Sequence, residues 1–146
     1  MILRKWKYTD ILPISELEKE CFPEEPWSYK TLVDCSYSQT FFGVAAQEGE
    51  EIIGYGGITV VADTADIENI AVSENFRRGG VGLSILNELI KIAKEKGAKK
   101  IFLEVRVSNS AAMSLYLKSG FKGVYARTRY YSNGEDCLIM CKNLGE

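Results

Sequence analysis

The chain has 146 residues, the size of one ordinary domain, and its 46% hydrophobic and 26% charged residues are typical of a globular protein. A net charge of −2 gives no basic surface for stable binding to nucleic acid, and no apolar run is long enough to cross a bilayer. The lack of histidine excludes histidine-based catalytic triads and the commonest zinc sites, so we expect no metal.

The four cysteines are predicted to be reduced, buried thiols. Cys21, Cys35, Cys137 and Cys141 form no Cys-x-x-Cys pair, and the first residues show no signal-peptide pattern. We therefore expect a cytoplasmic protein, in which thiols stay reduced.

The N-terminal part of the chain predicts one strand and two helices. Residues 2–7 are expected to form the strand, and Asp10 to cap a helix that runs to about Cys21. Prolines stiffen the loop 22–27, after which Ser28 can cap a second, short helix. The apolar residues of the first helix share one side, at Ile11, Ile14, Leu17 and Cys21.

The middle of the chain predicts three strands. Residues 40–47 and 51–61 are rich in strand-forming residues and are joined by a Glu-Gly-Glu turn, which is typical of an antiparallel hairpin. A third strand is expected over residues 64–72.

Helices and strands alternate in the remaining part. A helix from about Gly80 to Lys96 ends at Gly97, and a strand follows over residues 100–105. The last elements are a helix over residues 109–119, closed by Gly120, and strands over 121–131 and 136–142 around an Asn133-Gly134 turn.

The predicted order is β-α-α-β-β-β-α-β-α-β-β. Antiparallel strands followed by two crossover helices indicate an α/β (α+β) fold, with a mixed, mostly antiparallel central sheet and helices on both faces. Because the chain has no internal repeat and no linker, we expect a single domain over residues 1–146.

The stretch Arg77-Arg78-Gly79-Gly80-Val81-Gly82 lies between a strand and an amphipathic helix. Glycines let backbone N–H groups approach a ligand, and the N-terminus of a helix favours negative charge. The loop lacks the Lys-Ser or Lys-Thr of a P-loop, and Ile85 stands where a dinucleotide fingerprint needs a small residue. Two interpretations stay open: an anion site, which the paired arginines favour, or only a tight connection.

From Val72 to Gly82 the chain resembles motif A of the GNAT acetyltransferases, in which Arg/Gln-x-x-Gly-x-Gly/Ala follows a strand. The predicted order of elements is also that of this superfamily. Further segments resemble its RimI-type ribosomal-protein-alanine N-acetyltransferases and the archaeal N-terminal acetyltransferases: Phe22-Pro23-x-x-Pro26-Trp27-Ser28, Asn69-Ile70-Ala71-Val72, Leu103-Glu104-Val105-Arg106-x-Ser108-Asn109, Ala112, Leu115-Tyr116, Gly120-Phe121, Tyr130-Tyr131 and Gly134-Glu135-Asp136.

This resemblance implies acetyl-CoA as the co-substrate. Its pyrophosphate would lie on the glycine loop, and its pantetheine arm and thioester would lie along the preceding strand. The residues that the resemblance assigns to acetyl-CoA are Ile70, Ala71, Val72, Arg77, Arg78, Gly79, Gly80, Val81, Gly82, Leu83 and Asn109. Without it, residues 70–72 would be a plain buried strand, and Asn109 is also placed to cap its helix.

Glu104 and Tyr116 are the candidate catalytic residues. On an apolar strand, the Glu104 carboxylate is either paired with a neighbour such as Arg106 or free to act as a base. The resemblance implies that Glu104 accepts the proton of the acceptor amine through water. It also implies that Tyr116, otherwise an ordinary core tyrosine, gives a proton to the departing thiolate. An α-amino group, with a pKa of roughly 8, needs less help from a base than a lysine near about 10.4.

The acceptor side is assigned to Trp27, Tyr130 and Tyr131, although aromatic residues beside a proline-rich loop can equally fill a core. Glu68 is either a second carboxylate near the amine or a solvent-facing strand residue.

The resemblance therefore implies direct acetyl transfer, in a ternary complex, to the N-terminal amine of a protein. The preferred acceptor would be the N-terminal alanine of a small-subunit ribosomal protein, and neither nucleic acid nor a membrane is expected as a partner. The alternatives are an acetyltransferase for small amines or lysine side chains, and a non-catalytic acyl-CoA-binding module.

Overall fold

The fold is built on one sheet of seven strands, in a computed structural model that describes residues 1–145. The strands are β1 (Ile2–Lys5), β2 (Phe41–Glu48), β3 (Glu51–Val61), β4 (Thr64–Val72), β5 (Lys100–Arg106), β6 (Lys122–Arg127) and β7 (Cys137–Asn143). They lie in the order β1-β2-β3-β4-β5-β7-β6, and every neighbouring pair is antiparallel except β4 and β5. The predicted mixed, mostly antiparallel sheet is confirmed.

Helices cover both faces of this sheet, as predicted. They are α1 (Ile11–Cys21), α2 (Tyr29–Tyr37), α3 (Val81–Glu95) and α4 (Ser110–Lys118). Alternation along β2 shows why two cores form: Ala45 packs with residues of α1 and α2, whereas Val44 and Ala46 pack with residues of α3 and α4. The predicted order of all eleven helices and strands is confirmed over residues 1–145.

Two of the three predicted helix caps form. The Ser28 hydroxyl accepts a hydrogen bond from Thr31 N–H (3.1 Å), and the Asn109 amide oxygen accepts one from Ala112 N–H (3.2 Å). The prediction for Asp10 is wrong. Its carboxylate accepts hydrogen bonds from Lys7 N–H (2.7 Å) and from both terminal nitrogens of Arg4 (2.7 and 3.0 Å), because a 3₁₀ turn at Tyr8–Asp10 precedes α1.

Five strands have other ends than predicted. The strand β2 lies one residue later and β5 ends one residue later, and the differences in β1, β6 and β7 have local causes. The strand β1 stops at Lys5, because the Trp6 side chain enters the core beneath α1. The strand β6 spans only six residues and stops at Arg127; Arg129 follows with a φ of +51°, which extended backbone does not allow. Gly134, with a φ of +84°, completes the turn to β7, which runs on to Asn143.

The parallel strands β4 and β5 separate as they run. Within residues 1–145, they pair only from Thr64–Asp66 to Lys100–Phe102, whereas β4 continues beside β3 as far as Val72. Gly57 pairs with Asn69 and Ile58 with Ile67, so Glu68 is the extra residue of a β-bulge. The sheet therefore opens on the side of β4 that faces β5.

All four cysteines are free thiols, as predicted. Only Cys137 is buried; the expectation of burial is wrong for the half-buried Cys21, Cys35 and Cys141. Between residues 1 and 145, no helix is both long and apolar enough to cross a membrane.

Candidate active site

A cleft of about 1400 Å³ lies where β4 and β5 separate. It brings together side chains from both strands, from α4 and from the two loops that flank the opening. The predicted site residues that line it are Trp27, Glu68, Ile70, Glu104, Asn109, Tyr116, Tyr130 and Tyr131. The candidate catalytic and acceptor-side residues therefore share one cavity.

Glu104 faces this cleft without an ion pair to Arg106. Its neighbours Leu103 and Val105 are buried, whereas Glu104 is exposed, as the alternation along β5 predicts. The Tyr130 hydroxyl donates a hydrogen bond to Glu104 Oε1 (3.1 Å). Arg106 instead binds Glu135, with 3.3 Å between Nη1 and Oε1. The alternative of a salt bridge between Glu104 and Arg106 is therefore wrong.

Glu135 and Arg106 hold the tyrosine pair. Glu135 accepts a hydrogen bond from Ser108 N–H (2.8 Å), and the Arg106 guanidinium lies 3.9 Å from the centre of the Tyr131 ring. Tyr131 in turn packs edge-to-face on Tyr130, with 5.1 Å between ring centres. The position of the Tyr130 hydroxyl on Glu104 is thus fixed by contacts that extend to the start of α4.

Two further carboxyl groups, Asp66 and Glu68 on β4, line the same cleft. Burial raises the pKa of both groups, and the negative charge of Glu104 raises each pKa further. Glu68 Oε2 also accepts a hydrogen bond from the Thr59 hydroxyl (2.7 Å). The cleft therefore carries negative charge that suits a cationic amine, and Glu68 faces it as the second predicted carboxylate.

Tyr116 reaches the cleft from α4 and is at the same time a core residue. Its ring is 9% exposed and packs edge-to-face on Phe121, with 5.8 Å between ring centres. Burial raises the pKa of Tyr116 to about 12. The hydroxyl is therefore protonated at neutral pH and is available as a hydrogen-bond donor.

The glycine loop lies beyond the end of β4, next to this cleft. Gly80 has a φ of +85° and immediately precedes α3, and the first helical N–H that finds a carbonyl partner is that of Ser84, on Gly80 O (3.0 Å). The N–H groups of residues 81–83 lie in the first turn, where no i−4 carbonyl is available within a helix. Gly82 lies against Leu115 of α4, since a Cβ built on it would be 3.7 Å from Leu115 Cδ2.

The two arginines of the loop have different surroundings. The Arg77 guanidinium donates hydrogen bonds to the Val72 carbonyl (3.0 Å) and to the Cys21 sulfur (3.4 Å). Arg77 therefore ties the loop to β4 and to α1. Arg78 is exposed and has a φ of +67°.

Glu18 contacts residues of the cleft from below, and sequence analysis missed it. Although charged, it is fully buried, and its carboxylate accepts hydrogen bonds from Trp27 N–H (2.8 Å), from the Tyr55 hydroxyl and from the Asn69 amide (2.7 Å). A signal was present, because Glu18 stands four residues after Ile14 and seven after Ile11, on the apolar side of α1.

Glu25 was missed as well. Its carboxylate accepts a hydrogen bond from Ser132 N–H (3.0 Å), which joins the loop after α1 to the loop between β6 and β7. These loops flank the cleft, so the hydrogen bond connects its two walls.

Comparison with known proteins decides the family. The profile of the acetyltransferase (GNAT) family matches residues 11–121. This chain belongs to the GNAT acetyltransferase family.

Relatives within the family match most or nearly all of the chain in sequence, and a solved structure among them has the same fold. The ribosomal protein bS18-alanine N-acetyltransferase of Escherichia coli (strain K12) is 33% identical over 118 residues, covering 79% of each chain. The N-alpha-acetyltransferase of Sulfurisphaera tokodaii is 32% identical over 155 residues, covering 97% of this chain and 92% of that protein. A crystal structure of the ribosomal-protein-S18-alanine N-acetyltransferase from Escherichia coli has a TM-score of 0.91 to this chain, at 29% identity, covering 99% of this chain and 94% of that one.

GNAT enzymes use acetyl-CoA, and the residues of this member fit that co-substrate. The side of β4 that faces β5 has no strand partner beyond Asp66 within residues 1–145, so its backbone can bind an extended pantetheine arm. The first-turn N–H groups of α3, after the left-handed Gly80, suit a pyrophosphate. In the same described part of the chain, no group of three or more cysteine, aspartate and glutamate side chains is arranged to hold a metal ion.

Proposed function

We propose that this GNAT enzyme transfers the acetyl group of acetyl-CoA to the N-terminal α-amine of a protein, with the N-terminal alanine of a small-subunit ribosomal protein as preferred acceptor. The main support is Glu104, a carboxylate that has no ion pair with Arg106 and that lines the same cleft as the aromatic residues of both flanking loops. The names of the relatives support the choice of an N-terminal amine and of alanine.

Acetyl-CoA would be held by β4 and by the start of α3. Backbone groups of Ile70, Ala71 and Val72 would bind the pantetheine arm and the thioester, and residues 77–83 would bind the pyrophosphate. Asn109, which already caps α4, would add a hydrogen bond to the arm. An N–H group that points at the thioester oxygen stabilises the negative charge that develops there when an amine attacks.

Glu104 would remove the proton of the attacking amine through a water molecule, while Glu68 and Asp66 add negative charge around it. Tyr116 would face the departing sulfur. Because its pKa is about 12 and that of a free thiol is roughly 8.5, complete transfer of its proton would be uphill by about 5 kcal/mol. We therefore assign Tyr116 as a hydrogen-bond donor that shares its proton while the carbon–sulfur bond breaks.

The protein would act in the cytoplasm, where its four free thiols stay reduced. The acceptor is a polypeptide N-terminus, and neither nucleic acid nor a membrane is part of the proposal. Trp27, Tyr130 and Tyr131 would contact the first residues of that polypeptide.

A thiol-release assay with acetyl-CoA tests this function on three acceptors: a peptide that starts with alanine, the same peptide N-terminally blocked but containing lysine, and a polyamine. We expect activity on the first only. Activity confined to the blocked peptide or the polyamine would contradict the N-terminal assignment. Acetyl-CoA binding without turnover of any acceptor would indicate a non-catalytic module.

A further inference from the structure

Glu18 connects three separate elements beneath the cleft. Its side chain is fully buried, and all its hydrogen-bond partners are donors: Trp27 N–H after α1, the Tyr55 hydroxyl on β3 and the Asn69 amide on β4. A carboxylate has enough acceptor positions for three donors, whereas a neutral amide has one oxygen. Burial raises the pKa of Glu18, and the hydrogen bonds from Tyr55 and Trp27 offset part of that rise.

The hydrogen bond to Trp27 closes the loop that forms one wall of the cleft. The helix α1 ends at Cys21, and the N–H that Glu18 binds is nine positions further along the chain. The chain in between, residues 22–25, lines the cleft together with Trp27. Glu25 in this loop also accepts the Ser132 N–H of the opposite loop (3.0 Å). Glu18 thus holds the segment on which the acceptor-side wall is built.

The hydrogen bond to Asn69 reaches the other half of the site. Asn69 lines the cleft from β4 and directly precedes Ile70, on the strand assigned to acetyl-CoA. Its amide nitrogen lies 2.7 Å from Glu18 Oε2, while Trp27 N–H lies 2.8 Å from Glu18 Oε1. One buried carboxylate therefore connects the acceptor-side wall to the strand for the acyl donor.

We propose that Glu18 is a positioning residue that fixes the Trp27 loop on β4 and so sets the acceptor half of the cleft. The proposal rests on the acetyl-transfer function proposed above. Glu18 acts through Trp27 and Asn69, which face the cleft, rather than on either substrate.

The variant Glu18→Gln tests this role. Its amide keeps the shape of the side chain but leaves at least one donor without its acceptor. We expect the KM for the acceptor to rise about tenfold while the KM for acetyl-CoA changes less than twofold. Glu16→Gln is the matched control, because Glu16 is on the same helix, exposed, and 3.6 Å from Lys19; it should leave both KM values unchanged.

Tryptophan fluorescence gives a second readout. The chain has two tryptophans, the buried Trp6 and the half-buried Trp27. In Glu18→Gln the emission of Trp27 should shift to longer wavelength, as its loop becomes more hydrated. In the wild-type and in the Glu18→Gln protein, the emission of Trp27 is obtained by subtracting the spectrum of the same protein with the additional substitution Trp27→Phe. An unshifted Trp27 emission would overturn the proposal.

Tyr55→Phe covers the case in which Glu18→Gln does not fold. It keeps the ring, the carboxylate and the hydrogen bonds to Trp27 and Asn69, but removes the donor that helps to fix the orientation of the carboxylate. Because the carboxylate is then held less firmly, we expect a smaller rise than in Glu18→Gln, of two- to fourfold, in the acceptor KM alone. An equal rise in both KM values, or a fall in kcat with both unchanged, would overturn the positioning role.

The kinetic comparison uses whichever acceptor the wild-type enzyme acetylates best among the three above. A wild-type enzyme that prefers a polyamine would therefore contradict the proposed acceptor without deciding the role of Glu18. The Trp27 emission needs no acceptor, so it decides the role of Glu18 even for an inactive protein.

Discussion

At the scale of single residues, substitutions of Glu104 and Tyr116 are both expected to lower the activity. The two effects should differ in how they depend on pH. Below roughly pH 8 an N-terminal amine is mostly protonated and needs a base, and above that pH the free amine predominates. We predict that Glu104→Gln lowers kcat/KM about a hundredfold at pH 7, and that the loss shrinks as the pH rises above 8. A pH–rate profile on the alanine peptide measures this.

The exposed Glu95 at the end of α3 provides the control for Glu104. Glu95→Gln should leave the profile unchanged. A Glu104→Gln enzyme with a wild-type profile would remove Glu104 as the base.

Tyr116→Phe should lower kcat by a factor that does not depend on pH. The wild-type hydroxyl, with a pKa of about 12, is protonated throughout pH 6–9, so its donor is present at every point of that range. We predict a fall in kcat of about thirtyfold with both KM values within about twofold. The ring still packs on Phe121, so thermal unfolding should shift little. A pH-dependent loss, or an unchanged kcat, would contradict the assignment.

At the scale of elements, the glycine loop and the start of α3 form one unit. Gly80 has a φ of +85° and open space around a Cβ built on it, so a side chain there is strained by the backbone alone. We predict that Gly80→Ala costs about 1 kcal/mol of stability, and that relaxation of the loop raises the KM for acetyl-CoA about fivefold.

Gly97 provides the control that separates an effect on stability from an effect on acetyl-CoA binding. It has a φ of +89°, equally open surroundings, and a position just beyond the other end of α3. Gly97→Ala should lower the midpoint of thermal unfolding as much as Gly80→Ala and leave the KM for acetyl-CoA unchanged. Equal effects on that KM would show that the loop has no direct role in binding.

Whether a contact can be predicted from the sequence depends on how far apart its two residues are along the chain. Caps such as Ser28 and Asn109 need only residues three positions away, and the sequence predicts them. Asp10 fails because Arg4 and Lys7 take its carboxylate before α1 begins. The partner of Arg106 is 29 residues away, and the partners of Glu18 lie on other elements, so only the folded chain identifies them.

The opening between β4 and β5 also depends on contacts between residues that are distant in the sequence. The sequence predicts both strands and the crossover helix between them, but their separation beyond Asp66 depends on a bulge at Glu68 and on pairing with different neighbours. The family resemblance predicts eight of the residues that line the cleft, but not Asp66 or Glu25. The contact between its walls could not be predicted, because the hydrogen bond between Glu25 and Ser132 spans 107 residues.

At the scale of the whole molecule, the sheet runs from Ile2 to Asn143 and separates two cores, one under α1 and α2 and one under α3 and α4. Because all seven strands are hydrogen-bonded into the same sheet, we expect that neither core can lose its packing while the other keeps its support. We therefore predict one cooperative unfolding transition, as expected for a single domain.

Ile14→Ala on α1 and Leu89→Ala on α3 test this prediction from opposite faces. Both side chains are fully buried, so each substitution should cost about 2–5 kcal/mol. Circular dichroism and tryptophan fluorescence, recorded during denaturant unfolding, should give coincident transitions in both variants, because both substitutions destabilise the same unit. A second transition, or a midpoint that only one variant shifts, would show that the two faces unfold separately and that the sheet does not couple them.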